Sequence, residues 1–123
     1  MFQHAKFSVP DLAHGYTTDD NARALIVAML LWTVYEQEEY LDLAYRYLSF
    51  VLHAQTENGK YRNFMSYGRL FLGEEGSEDC FGRCLWALGY VVANPKTPDG
   101  MKEACKTLLA NSLPNVPSLM WLR

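Results

Sequence analysis

Cysteine is scarce: the chain carries three, Cys80, Cys84 and Cys105, an odd number with no CxxC spacing. That excludes a disulfide framework and the usual structural zinc site. Cys80 and Cys84 stand one helical turn apart, yet free cysteine behaves as a small buried hydrophobe, so all three are expected in the core. Histidine is equally sparse, with His4, His14 and His53 scattered along the chain, and neither a metal nor a cofactor is expected. No run of Lys or Arg forms the stripe that phosphate backbones require, and the net charge is −3 with both signs interspersed. Nucleic acid is thereby excluded as a partner. The longest strongly apolar run, Ala24 to Trp32 with Val34 beyond, is too short to span a bilayer, so no membrane association is expected. Met1-Phe2-Gln3-His4 shows no basic leader followed by an apolar stretch, and the chain reads as cytoplasmic.

What is present is apolar and aromatic. Of 123 residues, 50% are hydrophobic and 14% aromatic, enough to build one packed unit over 1–123 with aromatics to spare for a cleft. Thr17-Thr18-Asp19-Asp20 signals a helix start, with a capping hydroxyl ahead of carboxylates that suit the positive end of a helix dipole. This helix runs to about Tyr35. Its body, Ala24 to Trp32, is apolar on every face, which predicts a helix surrounded by protein. The second, about Glu38 to Gln55, is amphipathic, with Leu41, Ala44, Tyr45, Leu48, Val51 and Leu52 on the inner face. Asn58-Gly59 marks a turn, and Lys60 to Gly76 a long connection rich in Tyr, Phe, Arg and Gly. A third helix, apolar nearly all round, starts at Ser77-Glu78-Asp79 and stops before Asn94-Pro95. The fourth, from about Pro98 to Ala110, turns Met101, Ala104, Cys105 and Leu108 inward.

These helices are two copies of one unit. Shifting the chain by sixty residues lays Thr17 to Leu25 on Ser77 to Leu85 without a gap, with Asp19 on Asp79, Arg23 on Arg83 and Leu25 on Leu85. The same shift lays Leu41, Ala44 and Leu48 on Met101, Ala104 and Leu108. The repeats occupy about 17–56 and 77–112. The implied fold is all-α: helical hairpin repeats of an α/α toroid, (α/α)6-barrel type, as an incomplete ring. A unit of one interior and one exterior helix buries its inner face only by stacking on neighbours, and three or more copies are normally needed. About six such pairs close a ring, which would take on the order of 360 residues at this spacing. The chain is therefore either a portion of a larger protein or one that completes its core as a homo-oligomer.

The shared Asp and Arg admit two readings. As i,i+4 pairs, Asp19 with Arg23 and Asp79 with Arg83 support their helix starts by a few tenths of a kcal/mol each. Alternatively, interior helices of a ring start at the mouth of a central cavity, where the cap motifs form a polar site. Hydrolysis of a glycosidic bond needs two carboxyl groups, one protonated and one ionised. Asp19 or Asp20 and Glu78 or Asp79 are the catalytic candidates, since repulsion between adjacent carboxylates helps to keep one of them protonated. Tyr16, Tyr61, Phe64, Tyr67 and Trp86 are candidates to stack on sugar rings, Tyr61 and Tyr67 in particular because no helix face claims them. Asn21, Arg23, Arg62, Asn63, Arg69 and Arg83 complete the polar groups available to hydroxyls.

At these residues the chain resembles a bacterial family of α/α-toroid domains of glycosidase type, often encoded beside or fused to glycosyltransferases. The matching segments are Gln3-His4-Ala5 with Pro10, Gly15 to Leu25, Arg62-Asn63-Phe64-Met65, and Gly76-Ser77-Glu78-Asp79 followed by Gly82-Arg83 and Leu85-Trp86-Ala87-Leu88-Gly89. They extend over about Phe2 to Tyr90. The resemblance implies a longer parent domain of helical hairpins with a carbohydrate-facing centre, of which this chain is a portion. The chain departs from the family's pattern at Cys80-Phe81, where Ser-His is expected.

Two functions follow as expectations. One is a glycoside hydrolase-like domain that binds or cleaves an oligosaccharide. The other is a catalytically silent helical-repeat scaffold that partners a glycosyltransferase or its own copies. A weaker third is an isoprenoid-binding ring, for which Asp19-Asp20 lacks the longer Asp-rich motif that diphosphate chemistry uses.

Overall fold

The computed structural model describes residues 5–6, 9–10, 16–65, 71–72 and 78–116. Four helices dominate: α1 (Thr18–Tyr35), α2 (Glu38–Ala54), α3 (Glu78–Ala93) and α4 (Asp99–Ser112), with a 3-10 turn at Leu113–Asn115. The all-helical expectation and its helix boundaries hold to within a residue or two. The first residues of α1 and α3 are sixty apart (78 − 18 = 60), as the repeat requires.

The long connection is the main departure from expectation. It contains two-residue strands, β4 (Phe64–Met65) and β5 (Phe71–Leu72); β4 lies in the middle, pairing antiparallel with β3 (Tyr16–Thr17) on one side and with β5 on the other. A separate antiparallel pair joins β1 (Ala5–Lys6) to β2 (Val9–Pro10). Segments of two residues are too short to show a strand periodicity in sequence. Their effect is to bind the connection to the entrance of α1.

Local chemistry accounts for the helix ends. Thr17 caps α1, its hydroxyl accepting from the Asp20 N–H at 3.2 Å. Glu36 ends α1 in the left-handed region (φ 53°) and donates its N–H to the Trp32 carbonyl, which turns the chain directly into α2. At the far end of α2, Gly59 takes φ 79°, and a Cβ there would fall 1.9 Å from the Asn111 carbonyl oxygen of α4. Only glycine fits that turn.

The helices form two hairpins set side by side. α1 packs on α2 and on α3, and α3 on α4. α1 and α3 run parallel, because both pairs of ends meet. At the starts, Asp19 pairs with Arg83. At the finishes, Trp32 Nε1 donates to the Lys96 carbonyl (2.9 Å) and Asn94 Nδ2 to Thr33 Oγ1 (2.8 Å). α1 and α3 are thus the members through which the two hairpins meet.

Between the helices lies one continuous core, with Leu25 and Met29 from α1, Val51 from α2, Leu88 and Val91 from α3, and Met101 from α4. Burial of each such side chain contributes about 1.5–3 kcal/mol. Cys80, Cys84 and Cys105 are buried and form no disulfide, as expected. Tyr61 is a correction: it is 1% exposed and belongs to this core rather than to a sugar subsite. Its hydroxyl meets Ser112 Oγ at 2.9 Å and accepts from Gln55 Nε2 at 3.2 Å. Those partners lie 51 and 6 residues away, beyond the reach of a local reading. Desolvation pushes the Tyr61 phenol up to about 12.

Two faces also differ from expectation. Tyr45 and Leu52 of α2 are exposed rather than inward-facing. α1 is not enclosed within this chain, for Val27 is 55% and Val34 68% exposed along one flank. Among the described residues, no helix is long and apolar enough to cross a membrane.

Candidate functional site

The parallel setting of α1 and α3 brings their two acidic starts to one end of the molecule. Asn63, on the residue preceding β4, joins them. Its carbonyl accepts the Thr18 N–H at 2.7 Å, and its side-chain Oδ1 accepts the Asp19 N–H at 3.1 Å. Oδ1 also accepts from Cys80 Sγ of α3 at 3.4 Å. Thr18 Oγ1 donates to the neighbouring Arg62 carbonyl. The free N–H groups at the start of α1 are thereby satisfied by the connection between the repeats as well as by its own cap.

Asp19 is the hub of the charges. Arg83 Nε and Asp19 Oδ1 meet in an ion pair; both atoms are shielded from solvent and have no hydrogen-bond partner among the described residues beyond each other. Arg23 Nη2 lies 3.6 Å from Asp19 Oδ2. Of the two i,i+4 pairs expected within the helices, Asp19 with Arg23 is present but loose. Arg83 pairs with the Asp of the other repeat, and among the described residues no ion pair joins it to Asp79. The physical reason is proximity: a parallel neighbour helix places the Arg83 guanidinium beside a half-buried carboxylate, and a charge pair is stronger there than in water.

Behind this hub sit the residues at which the chain departs from its resemblance. Cys80 and Phe81 are buried, Phe81 against Tyr61 with ring centroids 6.1 Å apart. The Cys84 thiol donates to Cys80, which lowers the Cys80 thiol and, together with burial, raises that of Cys84 well above the ordinary range.

In front of the hub, Glu78, Asp79, Gly82, Arg83 and Trp86 line a hollow of about 260 Å³. Glu78 and Asp79 are exposed in the first turn of α3. Trp86 lies two turns further, 65% exposed. Asp20 is half-buried in the first turn of α1.

Not every expected residue joins this end. Asn21 is buried and donates to the Thr17 carbonyl at 2.7 Å, holding the helix start. Tyr16 stacks edge-on against Phe50 of α2, centroids 6.4 Å apart. Both line a separate groove of about 1010 Å³ whose wall includes Arg46, Tyr47, Phe50 and His53 of α2. Sequence reasoning missed this groove, although the run Tyr45-Arg46-Tyr47 with Phe50 and His53 on an outer helix was its visible trace. Tyr67 and Arg69 lie outside the described residues. No group of three or more His, Cys, Asp or Glu among the described residues is placed to hold a metal ion.

No protein-family model and no curated protein matches the chain.

Proposed function

We propose that the chain is a carbohydrate-active, glycosidase-like domain, an arc of an α/α toroid, that binds oligosaccharide at the end where α1 and α3 start. One observation carries the reading: two acidic helix starts from two repeats meet beside a hollow that bears an exposed tryptophan. An indole left in solvent at a polar hollow supplies the apolar face that pyranose C–H groups seek, and the surrounding carboxylates, Arg83 and Asn63 supply the polar contacts that orient a sugar.

Within this reading the acidic residues divide. Asp19, gripped by Arg83 and Arg23, positions the two helix starts. Glu78 and Asp79, which line the hollow, serve as the acid and base for hydrolysis, in which one carboxyl protonates the leaving oxygen and the other activates water or attacks the sugar, whereas Asp20 does not line the hollow. Tyr16 and Asn21 drop out of the subsite because they face the α2 groove.

A panel of defined oligosaccharides tests the reading by calorimetric binding and by release of reducing ends. Glu78→Gln and Asp79→Asn are expected to keep binding, and at least one of them to lower turnover by about 10²–10⁴-fold, with Asp20→Asn as the control that changes neither. Equal turnover in all three removes the hydrolase assignment. Binding unchanged in Trp86→Ala removes the site.

A further inference from the structure

Burial in α1 and α3, compared at the sixty-residue shift, sorts their positions into three flanks. Positions buried in both helices are Asn21 with Phe81, Ala24 with Cys84, and Ala28 with Leu88; their spacing of three and four residues marks the flank that each inner helix turns to its own outer helix. Positions buried in α1 alone are Thr18, Ala22, Leu25 and Met29, whose counterparts Glu78, Gly82, Leu85 and Gly89 are exposed or half-buried. Positions buried in α3 alone are Cys80, Ala87 and Val91, whose counterparts Asp20, Val27 and Leu31 are exposed or half-buried. The second flank of α1 and the third flank of α3 are the two sides of the seam between the hairpins. Each has an exposed or half-buried equivalent on the opposite helix.

We infer that the chain associates head to tail with a second copy of itself, the open α3 flank (Gly82, Leu85, Gly89) receiving the open α1 flank (Val27, Leu31, Val34) of the next copy. The seam already inside the chain is the template, because the same register presents an equivalent of each of its sides that no other helix covers among the described residues. Charge agrees. Inside the chain, Asp19 of the first hairpin pairs with Arg83 of the second. Across the new seam the equivalent pair is Asp79 with Arg23 of the next copy, both exposed in the single chain; Arg23 would give up its loose 3.6 Å contact with Asp19 for it, and Asp79 would then take the positioning part that Asp19 has inside the chain, with Glu78 as the acidic candidate at the hollow. Apolar content agrees as well: Val27 and Val34 are more than half exposed on a helix whose flank has no other occupant among the described residues. Such a contact uses two different faces, so it propagates until the rotation closes a ring.

Sedimentation equilibrium of the chain and of two variants tests this. Val27→Glu charges the α1 flank, and Gly89→Glu the α3 flank, where an added Cβ meets nothing within 4 Å. The parent chain is expected to be oligomeric, and each variant alone monomeric with unchanged helicity. An equimolar mixture of the two is expected to form a 1:1 dimer, since one intact α3 flank then meets one intact α1 flank. A monomeric parent overturns the inference. So does an oligomer that survives both substitutions, or a mixture that stays monomeric. Each readout is independent of glycan binding, so failure here leaves the proposed site standing.

Discussion

Replacing Arg83 with Gln removes the guanidinium that compensates Asp19 Oδ1, an oxygen shielded from solvent. The two side chains are 29% and 26% exposed, which places the pair between two regimes. Exposed pairs are worth about 0.2–1 kcal/mol, whereas stripping one partner from a buried pair costs about 3–5 kcal/mol. Arg23 remains 3.6 Å from the other carboxylate oxygen and recovers part of the loss. The single substitution is therefore expected to cost about 1–3 kcal/mol, in the range of a buried polar group left unsatisfied. A double-mutant cycle with Asp19→Asn should return a coupling of about 1–2 kcal/mol, several times the 0.3–0.5 kcal/mol typical of a helical i,i+4 pair. Urea denaturation followed by circular dichroism, at one protein concentration for all four proteins, measures it. As a control, Asp79→Asn and Arg83→Gln should add to within about 0.5 kcal/mol. A coupling below about 0.5 kcal/mol for Asp19–Arg83, or a larger one for Asp79–Arg83, refutes the cross-repeat pairing.

Gly59→Ala forces a Cβ against the Asn111 carbonyl at positive φ and should cost about 1–3 kcal/mol, read as a lower urea midpoint; an unchanged midpoint contradicts the turn. Burial holds the thiol of Cys105 and the phenol of Tyr61 up to about 12, from ordinary values of 9.0 and 10.0. Both native groups keep their protons longer than the unfolded chain does, so their stabilisation is complete below those ordinary values and is lost as pH rises through about 12. Melting temperature should accordingly fall between pH 9 and 11, and fall less in a Cys105→Ala, Tyr61→Phe variant; parallel profiles contradict this. Native Cys80, Cys84 and Cys105 should resist a thiol reagent at pH 8 until the protein is unfolded, and fast labelling of any one contradicts its burial. Trp86→Ala should shift stability by less than about 0.5 kcal/mol, because the indole is largely in solvent, while abolishing glycan binding.

Much of the fold was legible because it is written at helical spacing. The four helices, the Thr17 cap and the Asn58-Gly59 turn depend on neighbours a few residues apart, and the sixty-residue register shows when the chain is laid on itself. What escaped depends on direction around the axis. α1 is apolar on every side, so its sequence carries no sign of which flank meets α2, which meets α3 and which stays open; Val27 and Leu25 look alike until a neighbour is placed. The same lack of direction hid the partner of Arg83, for which Asp79 was the obvious local choice. Tyr61 looked unclaimed because Ser112, its partner, belongs to the last turn of α4. The acidic helix starts were legible as candidates, and their meeting at one end follows from the parallel register. The groove beside Phe50 was not legible, since its wall is divided between α2, the first turn of α1 and β4.

The most direct test is residue-resolved NMR of the labelled chain during titration with the oligosaccharide panel. Binding at the paired helix starts predicts saturable shifts in the Trp86 indole and in the amides of Asp79, Gly82 and Arg83, with the Phe50 and His53 groove unmoved. Saturable shifts confined to that groove, or none with any glycan, would contradict the account.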